Sequence, residues 1–243
     1  MTKKNELIPT DLTQLPSVQV GSDEDFDSLA SATNFLQRLE LKSKGVLIDM
    51  KVVEPGSYCV PKGNNEADDL GNKIDLIVLA KKPKAIDMSD TDAVVVSYER
   101  ESEVFTDIEE RAAGVNSHCM YGATFLVFER STRKCYEFFC GTASLRRCIG
   151  EISAAMTVTE EDIKRRGLKG VEPHGPITLN LGSKIVKNKQ GNTWFVPVIT
   201  PSSNPIQLDE KEFANVVKEI TKFTTLDEGG PEKVKTQTSG RAR

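Results

Sequence analysis

The chain has 243 residues, 38% of them hydrophobic and 28% charged, which is the composition of a globular protein long enough for one large domain or two small ones. No apolar run approaches the roughly 18–20 residues of a bilayer-spanning helix, and "MTKKNELIPTDL" has no apolar stretch behind its lysines, which argues against a membrane protein and against a secretory signal. The net charge of −4 conceals an asymmetry: residues 1–129 carry 13 Lys and Arg against 23 Asp and Glu, whereas residues 130–190 carry 12 against 6.

Residues 1–21, with Pro9 and Pro16, read as a flexible lead-in. Residues 22–223 read as one α+β domain. It opens with an amphipathic helix from Ser22, on which Phe26, Leu29, Ala30, Leu36 and Leu39 share a face. "GVLIDMKVV" (45–53) is expected to be a strand, stopped by Pro55-Gly56 and continued by "GSYCVP". "KGNNEADDLGN" (62–72) reads as a polar loop, "KIDLIVLAKK" (73–82) as a buried strand, 83–90 as a turn and "AVVVSYE" (93–99) as another strand. A helix follows at 102–114, then a β-hairpin at 123–141 with Ser131-Thr132 near its tip, then an amphipathic helix at 142–156 on Leu145, Cys148, Ile149, Ile152 and Met156. Two or three strands fill "PITLNLGSKIVKNKQGNTWFVPVITP". A last helix at 208–223 uses Phe213, Val216, Val217, Ile220 and Phe223. Residues 224–243 have the composition of a disordered tail. Strands arrive in runs without βαβ alternation, which favours a mainly antiparallel, OB-like β-barrel decorated with amphipathic helices over a doubly wound sheet.

Several chemistries lack their residues. Neither GxxxxGK[ST] nor a GxGxxG after a strand is present, so common nucleotide hydrolysis is not expected. The five cysteines are an odd number without a tight C-x2-C pair, which points to reduced, inert thiols in a cytoplasmic setting rather than to disulfides or zinc. Cys135 and Cys140, five residues apart on one strand, are expected on opposite faces. His118 and His174 sit in loop-like contexts and make a poor Cys-His pair. Asp49 and Lys51 in "LIDMKVV", and Glu40 and Lys42 in "LELK", each resemble half of a Mg²⁺-dependent nuclease strand, but the companion acid is missing. No catalytic residue, metal or cofactor is assigned.

The basic segment offers more. Arg130, Arg133 and Lys134 surround the hairpin tip, with Tyr136 and Phe138 on one face of the strand that follows. Arg146 and Arg147 fall in the first turn of a helix opened by Thr142, Ala143 and Ser144, where cations oppose the helix dipole and stability alone would prefer acids. Lys184, Lys187 and Lys189 continue the run, and Trp194 is the only tryptophan. Lysines and arginines beside exposed aromatics are the ingredients of single-strand binding, because phosphates need cations and every base has a face that stacks. Pro197 cannot donate to a ladder, so its strand is expected at a sheet edge or bulge.

The sequence of "IVLAKKP", "VVVSYE" and "YGATFLVFE…EFFCGTASLRR" resembles a family of phage- and prophage-encoded single-stranded-DNA-binding proteins with an OB-type barrel. The likeness covers about residues 45–205 and rests on Gly122–Val127 and Phe138–Ser144. It implies a non-catalytic protein of DNA replication or recombination, working in the cytoplasm of a host cell. Its partners would be single-stranded DNA (RNA being the alternative), replication or recombination proteins, and other copies of itself. Phosphates would be held by Arg130, Arg133, Lys134, Arg146, Arg147, Lys184, Lys187 and Lys189, and bases stacked by Tyr136, Phe138 or Trp194. One departure is the basic ending "TSGRAR", where such proteins often carry an acidic tail; "SDEDFD" (22–27) has that character near the other end. Two alternatives are a protein-interaction factor using its acidic first half and a Mg²⁺-dependent nuclease on Asp49 and Lys51.

Overall fold

A computed structural model describes residues 36–90, 94–114, 118–156, 159–167, 176–202 and 204–225. The expected lead-in, most of the first helix, His174 and the tail from residue 226 lie outside them. Nine strands and six helices are present among the described residues, an α+β architecture on a large, mostly antiparallel sheet.

In chain order the elements are β1 (Arg38–Leu41), α1 (Val46–Asp49), β2 (Tyr58–Gly63), β3 (Glu66–Gly71), β4 (Lys73–Asp87), β5 (Val95–Ser97) and α2 (Glu103–Ala112). Then come β6 (Cys119–Glu129), β7 (Lys134–Cys140), α3 (Ala143–Arg146), α4 (Ile149–Ser153), α5 (Glu160–Arg166), β8 (Thr178–Lys187), β9 (Thr193–Pro201) and α6 (Glu210–Thr225). The sheet runs β3-β2-β1-β7-β6-β4-β8-β9, with β5 paired to the far end of β4. Only β1 and β7 pair in parallel. Among the described residues no ladder joins β3 to β9, so the sheet is open and not a closed barrel. Hydrogen bonds instead tie β2 and the residues before it to β8. Tyr58 Oη donates to the Gly182 carbonyl at 3.0 Å, and Ser183 Oγ to the Gly56 carbonyl at 2.5 Å.

The main core lies inside this curvature. Leu39, Tyr58, Val60, Leu76, Phe125, Tyr136, Phe138 and Leu181 are buried there, with Leu145, Cys148 and Ile149 packed against them. The other face of the central strands packs on α6 through Leu126, Phe128, Val216 and Phe223, and α2 covers a smaller cluster with Phe105 and Ile108. Cys140 belongs to the main core and Cys135 packs on the α6 side, the opposite-face placement that their spacing predicts.

Several local expectations are corrected. Residues 45–53 are not a strand: Gly45, at φ 120°, leads into the short helix α1, and Lys51 takes φ 57°. The first strand is instead Arg38–Leu41, inside the stretch read as helix, because Leu39 is taken up by the β1–β7 pairing and the main core. The "polar loop" 62–72 is mostly strand. Asn64 and Asn65, at φ 50° and 61°, make the tight turn between β2 and β3, and the acidic residues of β3 stand on the sheet's edge. Pro83 does not end β4, which pairs with β6 as far as Asp87. The helix expected at 142–156 is two short helices.

Candidate nucleic-acid interface

The open ends of the sheet create a groove of about 990 Å³. One wall is the β8–β9 hairpin with Lys184, Val186, Lys187, Trp194 and Val196; the other is the loop after β1 with Lys42, Ser43 and Lys44; the floor is the α3 region with Arg147 and Cys148. Five cations face two carboxylates, Glu40 and Glu151.

Local rules explain the walls. β8 and β9 pair with Lys184 opposite Val196 and Val186 opposite Trp194, so these four side chains share one face of the hairpin. Trp194 is half-buried. Lys42 pairs with Glu40, and Lys44 and Arg147 are exposed. Phe195 N–H, on the free side of β9, donates to Ser43 Oγ at 2.9 Å and fixes the loop after β1 against the hairpin. Thr142 Oγ1 caps α3 by accepting from Leu145 N–H. In the floor, burial pushes the Cys148 thiol up, Glu151 adds to the shift and Lys184 opposes it, so it is a protonated, weak nucleophile at neutral pH.

The predicted residues divide sharply. Arg147, Lys184, Lys187 and Trp194 come together in the groove. Tyr136 and Phe138 do not: they are only 2% and 1% exposed in the main core, so they cannot stack on a base. Their strand is central rather than at an edge, and the face read as a platform is the face that packs. Arg130 pairs with Asp75 at 3.0 Å and donates to the Asn204 carbonyl. Arg133 forks onto Glu212, donates to the Gln207 carbonyl at 2.8 Å, and lies 5.2 Å from the centre of the Phe128 ring. Arg146 donates to the Gly141 and Tyr121 carbonyls at 2.7 and 3.2 Å and sits 4.2 Å over the Tyr121 ring. These three arginines are joints between elements and not free phosphate contacts. Lys134 is exposed beside α6, away from the groove, and Lys189 is exposed in the β8–β9 turn. Ser43 and Lys44 are not singled out by the sequence reading, and Lys42 only beside Glu40 in a nuclease-like pair. Their only signal is a lysine pair between acidic stretches, in a segment whose helical pattern hid the strand before it.

Among the described residues no cluster of three or more His, Cys, Asp or Glu side chains is placed to hold a metal ion, and no helix is long and apolar enough to cross a membrane. Comparison of the chain with family models, with curated proteins and with solved structures found no match.

Proposed function

We propose that this protein binds a single strand of nucleic acid, DNA in the first instance, in the groove between the β8–β9 hairpin and the loop after β1, without catalysis. The observation that carries this reading is the convergence of Lys42, Lys44, Arg147, Lys184 and Lys187 around a half-exposed Trp194. Cations supply contacts to phosphates, and the indole supplies a sequence-tolerant surface for a base. The curvature of the sheet and the β2–β8 hydrogen bonds support an OB-like description, in which a strand crosses the open side. A role in replication or recombination, and in the cytoplasm, follows from strand binding and from the resemblance to phage proteins.

The test is titration of Trp194 fluorescence with oligo-dT. Quenching is expected, with affinity falling on the order of 10²-fold between 50 and 200 mM salt if all five cations engage. Lys184→Glu combined with Lys187→Glu should abolish the change. Binding that is indifferent to salt would reject the phosphate-led mechanism.

One observation favours a second reading, that of a protein-interaction factor whose basic segment is neutralised within the chain: Arg130 pairs with Asp75 and Arg133 with Glu212. Absence of oligonucleotide binding together with a stable oligomer would favour it. The nuclease alternative loses its motif, since Asp49 ends a short helix and Lys51 follows in a left-handed turn, so strand alternation does not align them.

A further inference from the structure

Pairing of β8 with β4 ends where β4 begins, at Lys73 opposite Gly182, whereas pairing with β9 continues to Lys187 opposite Thr193. Residues 183–187 and 193–197 therefore leave the sheet as a two-stranded arm, about 17 Å long at ~3.4 Å per residue. Its root is fixed on both strands. Ser183 Oγ donates to the Gly56 carbonyl and Phe195 N–H to Ser43 Oγ. The Phe195 ring also presses on Gly56, where an added Cβ would come within 2.4 Å of it.

The arm and its turn carry Lys184, Lys187 and Lys189 and no carboxylate. Among the described residues none of these lysines forms an ion pair. Trp194 and Val186 occupy one face, toward the groove. Strand alternation puts Ile185 on the other face, and it is 61% exposed, outside every core cluster. The arm thus shows Trp194, Val186 and Lys184 on one side and an exposed Ile185 on the other, opposite Phe195 and two residues before Lys187.

We propose that this arm recognises the junction at which a single strand leaves a duplex. Ile185 rests on the terminal base pair, while the unpaired strand turns into the groove along Trp194. The inference rests on the strand-binding reading of that groove. Apolar side chains, isoleucine among them, are the groups that proteins set against base steps, and lysines on both sides of the wedge match the phosphates of the diverging strands.

The test compares three probes: oligo-dT, a blunt duplex, and the same duplex carrying an oligo-dT tail. The tailed duplex should bind about tenfold tighter than oligo-dT, the scale expected for covering one aliphatic side chain. Ile185→Ala should remove that advantage and leave oligo-dT affinity unchanged, and Ile185→Leu should keep it. Oligo-dT binding with no gain for the tailed duplex overturns the junction inference and leaves the strand reading standing. A blunt duplex bound as tightly as the tailed one also overturns it. If no probe binds, the strand reading fails, and this inference with it.

Discussion

Lys84 and Glu137 form a buried ion pair. Lys84 is 1% exposed, and its Nζ lies 2.5 Å from Glu137 Oε1, which also accepts from Thr124 Oγ1 at 2.8 Å. Burial lowers the Lys84 pKa against the pull of Glu137. For Glu137 burial acts upward, but Lys84 and the hydrogen bonds from Lys84 and Thr124 outweigh it and hold the carboxyl low. Breaking such a pair leaves a stranded charge, so Lys84→Met or Glu137→Leu alone should cost about 3–5 kcal/mol in urea unfolding, while the double variant should recover most of that loss. Additive losses would show that the two groups are not coupled. Asp87 sets a pH dependence. Burial alone would raise its pKa, but bonds from Ser89 and Arg111 depress it from 3.8 to about 2. A carboxyl with a depressed folded-state pKa stabilises above its unfolded pKa, and that contribution disappears as pH falls from about 4 to 2. Asp87→Asn should therefore be less stable than the native chain at pH 7 and indistinguishable from it near pH 2, as measured by denaturant midpoints. A constant difference across that range would refute the assignment.

At the scale of elements, the free edge of β9 is short of donors for another strand. Ser202 N–H bonds back to the Thr178 carbonyl, so even-numbered residues face β8 and odd-numbered ones face outward. On that outward side Phe195 N–H is taken by Ser43, and Pro197 and Pro201 have no N–H to give. The edge is thus poor in donors for an added strand without any charge on it, and β9 is left to wall a groove. Replacing both prolines by valine should reopen the edge and raise self-association, read by sedimentation or light scattering at increasing concentration; an unchanged monomer–oligomer balance would argue that the edge is protected by something else. Pro197 is also the residue from which an edge strand was legible in sequence. Two helices were legible too: α2 falls within the expected 102–114, and α6 buries Val216 and Phe223 of the expected stripe. The β6–β7 hairpin appears with its tip at the expected place. α1 and β1 were not legible, because four-residue elements lack a period, and β1 takes its form from β7, far along the chain.

At the scale of the whole molecule, sheet order is what the sequence conceals. β1 reaches β7 in parallel, Arg38 opposite Glu137, and this is the ladder that joins the β2–β3 hairpin to the rest of the sheet. Once that order is known, the division of the basic residues follows. Arg130 and Arg133 in the β6–β7 turn and Arg146 on α3 become structural, whereas Arg147, Lys44, Lys184 and Lys187 remain open to solvent. Local charge counting could find the basic segment but could not separate these two groups. The groove has walls contributed by residues 42–44, 142–148 and 184–197, stretches that have no reason to meet in an unfolded chain. Occupancy and folding are therefore one linked equilibrium: whatever fills the groove binds only the native form and draws the population toward it by mass action. Oligo-dT at a hundredfold excess over its Kd should add about 2.7 kcal/mol to unfolding and raise the melting temperature, and a melting curve that ignores the ligand would place its binding outside this fold-dependent groove.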